Sequence, residues 1–272
     1  MAGKTGQPGF TWDPDRYGRS SSFQQRMADE LIAKMDLKGS ERVLDIGCGD
    51  GKVTAAIARR VPSGSVVGID SSEAMIRHAS SHFTGESYKN LSFACRDARD
   101  LTYTGKFDCI FSNAALHWIP EQDRVLSGVF RALVPGGRML VQLGGRGNAS
   151  QVLSVLDGMT GSPKWREYFY NFTFAYGFFS DDQYRKFLTG AGLEPVRVEL
   201  IPREMVHRTP EDLAGWIATT WLPWLERVPQ GEREAFVQEI VERYVHDYPP
   251  DVSRAIRVGM VRLEAEAVRP HD

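Results

Sequence analysis

One short stretch of the sequence has residue types and spacing that suit the binding of a nucleotide-like ligand. Within residues 43–52, V-L-D-I-G-C-G-D-G-K, an apolar run that includes Asp45 is followed by alternating glycines at Gly47, Gly49 and Gly51. Glycine permits positive φ and lets a ligand approach the main chain without a Cβ in the way, and the following helix start offers unpaired N–H groups. The stretch therefore predicts a strand, a tight turn and a helix, with a ligand held at the turn.

The spacing of the glycines narrows the kind of ligand. A dinucleotide-binding fingerprint, G-x-G-x-x-G, requires a third glycine where this chain has Lys52, and no phosphate-gripping G-K-[S/T] sequence follows. Asp70 ends the next apolar run, Ser65–Asp70, at a distance along the chain where an acid can accept hydrogen bonds from two ribose hydroxyls. The alternatives are a glycine turn without a ligand and a simple helix-entry role for Asp70.

Alternating strands and helices must position these groups. Further apolar runs at Leu91–Cys95, Phe107–Asn113 and Arg138–Leu143 are separated by helical patterns, one of them over Glu121–Leu133. Strands separated by such helices form βαβ units and hence a parallel sheet, whose ligands lie outside the carboxyl ends of the strands. The polar residues at the ends of the first four predicted strands are Asp45, Asp70, Asp97 and Asn113.

The order of these pieces resembles the seven-strand domain of the class I S-adenosylmethionine (SAM) methyltransferases over residues 40–145. The matching motifs are D-x-G-x-G-x-G, an acid after strand two, D-A after strand three, F-D-x-I-x-x-N-x-x-L-H-W at strand four and P-G-G before strand five. The resemblance implies SAM as the cofactor. The cofactor-binding residues that it implies are Gly47 and Gly49 (methionine part), Asp70 (ribose), Asp97 and Ala98 (adenine) and Asn113 (near the transferred methyl), together with Asp45.

Two groups within that superfamily share further motifs with the chain. The W-D-P-x-x-Y opening at residues 12–17 and the exit of strand four are similar to the trans-aconitate methyltransferases, and L-H-W at 116–118 is similar to the juvenile-hormone-acid type. Both groups make methyl esters of carboxylic acids. The resemblance therefore implies a carboxylate as the methyl acceptor.

The C-terminal part completes the predicted fold. Apolar and charged residues alternate over 261–267, which predicts a last strand, antiparallel in the fold that the chain resembles, and Glu194–Ile201 predicts a sixth. The predicted fold class is α/β, with a Rossmann-like, seven-stranded, mostly parallel sheet, an antiparallel last strand and an inserted helical lid. The predicted domains are a flexible N-terminal arm over 1–19, a SAM-binding domain over 20–208 and 251–270, and the helical lid over 209–250.

His117 is the side chain expected to act on the acceptor. It follows the fourth strand, and it is the titratable candidate near the predicted methyl position, either to position the acceptor or to act as a base. A structural histidine beside Trp118 is an equally compatible interpretation.

Aromatic residues are expected to enclose the acceptor. The segment Trp165–Phe179 and a Trp-rich helix over 210–225 are predicted to wall an apolar pocket, with core packing as the alternative. Arg146 and Arg203 are candidate cations for an acceptor carboxylate, with surface solvation as the alternative for Arg203. The predicted substrate residues are Trp118, Tyr170, Tyr176, Arg203 and Trp221.

The overall composition argues against several function classes. With 33 basic and 35 acidic residues and no basic run, neither nucleic acid nor an anionic membrane is expected as a partner. No apolar run approaches the roughly 18 residues that a membrane span requires, and the three cysteines are expected to be buried and reduced, which predicts a cytoplasmic protein. No metal is predicted, and nothing in the sequence indicates an oligomeric state.

The sequence thus predicts a SAM-dependent methyltransferase for a small-molecule acceptor, with a carboxylate preferred. The sulfonium of SAM already carries a leaving group, so the protein has mainly to align the reactants and exclude water, and a carboxylate needs no base. The alternatives are O-, N- or C-methylation of another small or lipid-like metabolite, a SAM-binding protein without catalysis, and a dinucleotide oxidoreductase.

Overall fold

A seven-stranded sheet lies at the centre of the protein in a computed structural model that describes residues 22–174 and 176–271. The strand order is β3-β2-β1-β4-β5-β7-β6; β7 is antiparallel to both of its neighbours, and the pairs among the first five strands are parallel. The predicted fold class is therefore confirmed. The strands are β1 (Arg42–Ile46), β2 (Ser65–Asp70), β3 (Leu91–Cys95), β4 (Phe107–Asn113), β5 (Leu133–Gly144), β6 (Glu194–His207) and β7 (Ile256–Val268).

Helices connect and cover the strands. The predicted arm over residues 1–19, including the W-D-P-x-x-Y motif, lies outside the described residues. The α-helices are α1 (Ser22–Lys34), α2 (Lys52–Arg60), α3 (Glu73–His82), α4 (Gln122–Ala132), α5 (Ser150–Thr160), α6 (Asp181–Gly190), α7 (Pro210–Thr220), α8 (Leu222–Leu225) and α9 (Arg233–Asp247). No helix among the described residues has both the length and the apolar character needed to cross a membrane.

Burial on both faces of the sheet explains why the central strands read as continuous apolar runs. Neighbouring residues of β4 point in opposite directions: Ile110 packs towards α4 and α6, and Phe111 packs towards α1 and α2. Burying such side chains contributes roughly 1.5–3 kcal/mol each. These two layers hold the carboxyl ends of the parallel strands in a fixed arrangement.

A second core lies outside the central layers. Helices α5, α7, α8 and α9 pack around Trp165, Phe169 and Phe236, which are buried together, with ring centroids of the two phenylalanines 5.6 Å apart. This helical core extends to Met205, Ile256 and Val258 at one end of β6 and β7. The helices between β6 and β7 are thus anchored by their own apolar cluster.

Several element boundaries differ from the sequence expectation; β5, for example, begins at Leu133 and not at Arg138. The sixth strand continues past Ile201 to His207, because β7 begins at Ile256 and pairs with it along this whole length. Pro202 is tolerated within it because β6 is an edge strand, where one side of the backbone needs no partner. The Trp-rich helix breaks at Trp221, two residues before Pro223, because proline cannot donate the helical hydrogen bond.

The cysteines are only partly as expected. Cys48 and Cys109 are buried, whereas Cys95 is exposed, and none of the three forms a disulfide. The prediction of burial was wrong for Cys95 because it ends β3, which is an edge strand with solvent on one side.

Candidate functional site

A cavity of about 500 Å³ lies beyond the carboxyl ends of the parallel strands. The glycine turn, the ends of β2 and β4 and the loop after β3 form one half of its wall. Residues of the 116–120 turn, of segment 176–178, of α7 and of β7 form the other half. We refer to these as the cofactor half and the acceptor half.

The glycine turn presents bare main chain to the cofactor half. Gly47 and Gly49 both have positive φ, +76° and +52°. A Cβ added at Gly47 would lie 2.1 Å from the Cβ of Ala115, so packing alone requires glycine there. A Cβ added at Gly49 would meet nothing within 4 Å, since this residue faces the cavity. The turn therefore offers a cradle that a side chain at Gly49 would fill and that a ligand can occupy instead.

Asp70 connects that turn to the next strand. Its carboxylate accepts hydrogen bonds from the backbone N–H of Gly49 (3.1 Å) and of Ser72 (2.8 Å), and its side chain lines the cavity. Burial raises the pKa of Asp70, and these backbone donors oppose that shift. The acid is thus oriented by main chain on both sides, with acceptor capacity left for the hydroxyls of a ribose.

Asp45 is the predicted cofactor residue that the structure places elsewhere. It is 2% exposed, does not line the cavity, and accepts a hydrogen bond from the hydroxyl of Thr54 at 2.7 Å. Burial raises its pKa to about 7, with a smaller contribution from Asp70. The structure does not bring Asp45 to the cavity, because its carboxyl is turned into the protein and ties β1 to α2.

Asp97 and Ala98 lie at the far end of the cofactor half, together with an arginine that sequence reasoning missed. Arg99 donates to both carboxylate oxygens of Asp97, with its Nη2 2.6 Å from Oδ2 and its Nε 3.0 Å from Oδ1. These bonds lower the pKa of Asp97 and keep it ionised. The sequence could have suggested this ion pair, because Arg99 follows Asp97 by two residues and Asp97 caps the short turn that contains Arg99.

Asn113 and its neighbour close the cofactor half at the end of β4. Both Asn113 and Ala114 line the cavity, and Ala114 has a φ of +56°, a conformation that non-glycine residues rarely adopt. The backbone N–H of Ala114 donates to the carbonyl of Gln142 at 2.8 Å, which fixes this turn against β5. Strained backbone held in place by its surroundings is a frequent feature of functional sites.

His117 lies on the cavity wall where the two halves meet. Its Nδ1 is 3.3 Å from the backbone N–H of Gly144, which donates to it and so places the ring proton on Nε2. Burial, assisted by the charge of Arg262, lowers the pKa of His117 to about 4. The ring is therefore neutral at physiological pH, with one nitrogen occupied and an N–H left as a donor.

Arg262 is a cavity residue that the sequence analysis did not assign. Its guanidinium donates to Oε1 of Gln142, while Nε2 of Gln142 donates to the buried carboxylate of Glu264 at 3.2 Å. Glu264 is in turn paired with Lys34 and with Arg197. Burial and, to a lesser extent, Arg203 lower the pKa of Arg262 to about 10, so it remains a cation at neutral pH.

Aromatic side chains dominate the rest of the acceptor half. The rings of Tyr176 and Phe178 stack with centroids 4.8 Å apart, and Tyr176 meets Trp221 edge-on at 5.6 Å. Trp216 packs against Trp221 with centroids 5.8 Å apart. We call the set that lines the cavity the aromatic wall; it consists of Trp118, Tyr176, Phe178, Trp216 and Trp221, with Met205 and Met260 beside them.

Three predicted acceptor residues are not brought to the cavity. Tyr170 is 77% exposed, because Trp165 and Phe169 before it are anchored in the helical core and the chain then turns outward. Arg203 lies on the edge strand β6 and pairs with Glu30 at 3.5 Å. Arg146 is exposed in the loop after β5. Of the predicted substrate residues, the structure brings together Trp118, Tyr176 and Trp221.

Comparison with known proteins finds methyltransferases. Residues 37–169 match a family described as a methyltransferase domain. A trans-aconitate 2-methyltransferase of Deinococcus radiodurans is 37% identical over 134 residues, which are 49% of this chain and 50% of that protein. The Escherichia coli trans-aconitate 2-methyltransferase is 29% identical over 93% of this chain and 96% of its own.

Two further matches cover most of the chain. An uncharacterized methyltransferase of Schizosaccharomyces pombe, C70.08c, is 31% identical over 80% of this chain and 84% of its own. Among solved structures, a methyltransferase from Bacillus halodurans described as putative has a TM-score of 0.62, with 18% identity, and covers 89% of this chain and 98% of its own. That structural likeness concerns the fold.

Proposed function

Because this chain belongs to the SAM-dependent methyltransferases, we propose that it transfers the methyl group to a carboxylate of a small-molecule acid and forms a methyl ester. Relatives that are named trans-aconitate 2-methyltransferases support an acid as acceptor. The proposal depends mainly on the position of Arg262. This arginine is largely withdrawn from solvent, and it lines the acceptor half beside His117.

The cofactor half supplies the binding groups for SAM in this proposal. Gly47 and Gly49 receive the methionine part against bare main chain, and Asp70 accepts from the ribose hydroxyls. Asp97 and Ala98 hold the adenine, with Arg99 fixing the carboxylate of Asp97. Asn113, at the end of β4, would adjoin the transferred methyl. When bound, the cofactor supplies an electrophilic methyl group on a sulfonium.

The acceptor half aligns the carboxylate. Arg262 attracts the acid and orients it by charge-assisted hydrogen bonds, and the Nε2–H of His117 donates to the same group. The bound cofactor would supply a methyl group whose C–S electron pair stays with sulfur as a carboxylate lone pair bonds to it, so no proton would have to be removed. His117 therefore positions the acceptor and does not act as a base. The aromatic wall excludes water from the displacement.

The proposal extends to the division of the chain predicted from the sequence, with a SAM-binding domain over 20–208 and 251–270 and a lid over 209–250. Trp216 and Trp221 belong to that lid segment and line the cavity, which supports a role in enclosing the acceptor. Limited proteolysis within 209–250 should slow when S-adenosylhomocysteine and an acid are bound together. Cleavage at the same rate with and without ligands would contradict a moving lid.

The partner in this proposal is a small-molecule acid, and neither nucleic acid nor a membrane takes part. Three cysteines without a disulfide support a cytoplasmic setting for the reaction.

The test of the function is product analysis with labelled SAM. The full-length protein, given a metabolite extract, should produce label that is released as methanol by mild base, as a methyl ester requires. Label in a base-stable product would overturn the carboxylate proposal and favour O-, N- or C-methylation of another metabolite. Binding of SAM without any transfer to the extract would favour a SAM-binding protein without catalysis.

A matched pair of variants tests whether Arg262 binds the carboxylate of the acceptor. Arg262→Met should raise KM for the acid by about 100-fold, because a desolvated charge-assisted pair is lost, while SAM affinity stays within about twofold. Arg203→Met is the control, since Arg203 lies on the neighbouring strand, outside the cavity wall. Equal effects of the two substitutions would remove the anchoring role from Arg262.

A further inference from the structure

The chemistry of the aromatic wall restricts which acid can occupy the acceptor half. Trp216 and Trp221 are 5% and 2% exposed, and both are packed into the helical core. The wall is therefore apolar and held in place by packing behind it. An ionised group placed against such a surface loses its hydration without a compensating partner.

Cations on the cavity wall are placed at its two ends. Among the described residues that line it, the arginines are Arg262 in the acceptor half and Arg96 and Arg99 in the cofactor half. Arg99 is committed to Asp97 by three hydrogen bonds to its carboxylate. The acceptor half thus matches one carboxylate, bound at Arg262.

Polar atoms elsewhere on the acceptor half are mostly bonded within the protein. The hydroxyl of Thr219 donates to the carbonyls of Gly215 and Trp216, at 3.1 Å each. Oδ1 of Asn148 accepts from the backbone N–H of Val261 at 3.0 Å. The Thr219 hydroxyl and Oδ1 of Asn148 are thus occupied by the protein, and the aromatic wall is the main surface offered to the body of a ligand.

We infer that the acceptor is a monocarboxylic acid with an apolar body. This inference rests on the proposed function and makes it more specific, because Arg262 takes the carboxylate and the aromatic wall takes the body. It differs from the polar tricarboxylate after which two of the relatives are named.

Binding measurements test the acid class independently of turnover. The full-length protein loaded with S-adenosylhomocysteine is titrated with trans-cinnamate, 4-methoxycinnamate and trans-aconitate. We expect both cinnamates to bind at least about tenfold more tightly than trans-aconitate, since the latter brings extra charges to an apolar wall. Equal or tighter binding of trans-aconitate would overturn the inference and leave methyl ester formation intact. The extract experiment above decides the proposed function by itself, whichever acid binds.

Discussion

The two halves of the cavity differ in which atoms form their walls: mainly main-chain atoms in one, and large side chains in the other. The cofactor half is made largely of main chain and of short side chains that directly follow strands β1 to β4, all within residues 46–115. The acceptor half is made of large side chains from separate segments: the turn at His117, residues 176–178, helix α7 and strand β7. The first half is local in sequence, and the second exists only after the chain has folded.

This difference predicts different consequences of mutation. A main-chain site can be blocked by one added side chain, because the space for the ligand is defined by atoms that every residue has. A side-chain site loses one contact at a time, and its neighbours continue to bind. Substitutions in the cofactor half should therefore weaken SAM binding, most of all where they add a side chain to the main-chain cradle, and those in the acceptor half should change KM for the acid.

The largest effect is expected at Gly49. Gly49→Val places a branched side chain in the cradle at a φ of +52°, so SAM affinity measured by calorimetry should fall by at least about 100-fold. Gly105→Val is the matched control, because Gly105 has a φ of +51° and equally open surroundings but lies outside the cavity wall. Both variants carry the backbone strain. Similar SAM binding by the two would show that the turn at Gly49 has no ligand.

Asp70 should give the next largest effect. Asp70→Asn keeps the shape of the side chain and removes its charge, which should weaken SAM binding by about tenfold through the loss of charged acceptors for the ribose. Asp100→Asn is a suitable control, since Asp100 is an exposed acid near the same half. An Asp70→Asn protein that binds SAM normally would place the ribose contact on another residue.

The same difference explains what the sequence could predict. The glycine turn and Asp70 are marked by spacing, because strand ends and tight turns leave short-range patterns. Asp45 belongs to the same kind of pattern, yet its side chain points inward and accepts a hydrogen bond from Thr54. A sequence motif does not determine the direction in which a single carboxyl group points. The alternation of strands and helices followed from periodicity and the antiparallel last strand from the resemblance, whereas helix α5 and the lengths of β5, β6 and β7 were not predicted.

The acceptor half could not be predicted because it depends on tertiary placement. Tyr170 and Tyr176 belong to one aromatic run, but the chain reverses at Asn171, which has a φ of +54°, and only Tyr176 reaches the cavity. Arg262 occurs in the alternating pattern of the last strand, where a charged residue is normally a solvent contact. Only the packing of β7 between β5 and β6 shows that this position is largely covered.

Substitution of Glu264 tests whether Arg262 depends on the hydrogen-bonded residues behind it for its position in the acceptor half. Glu264→Gln should weaken the orientation of Gln142 and hence of Arg262, raising KM for the acid by about three- to tenfold with little change in SAM affinity. Glu266→Gln, on the same strand, provides the control. Because Lys34 and Arg197 both pair with Glu264, the free energy of unfolding should also decrease. A normal KM in a destabilised variant would limit Glu264 to a structural role.

His117 should give the smallest effect on rate and a clear effect on pH dependence. With its Nδ1 occupied by the N–H of Gly144 and its pKa lowered to about 4, the ring is neutral throughout the range in which the acid is ionised. The rate of ester formation should therefore lack a histidine titration between pH 6 and 8.5, and His117→Gln, which keeps an N–H donor, should lower kcat/KM by only about two- to fivefold.

The same pKa shift makes a prediction about stability. Because the pKa of His117 in the folded state lies below its ordinary value of 6.5, the unfolded chain takes up a proton first as the pH falls. The stabilisation from the neutral ring is thus complete above pH 6.5 and is lost as the pH falls from there to about 4.

Asp45, whose pKa is raised to about 7, titrates in both proteins, so the difference between His117→Gln and the unaltered chain isolates the histidine. Denaturant unfolding from pH 7.5 to 4.5 should show this difference shifting in favour of the variant at low pH. A difference that does not change with pH would mean that His117 accepts a proton as readily in the fold as outside it, and the base role would become available again.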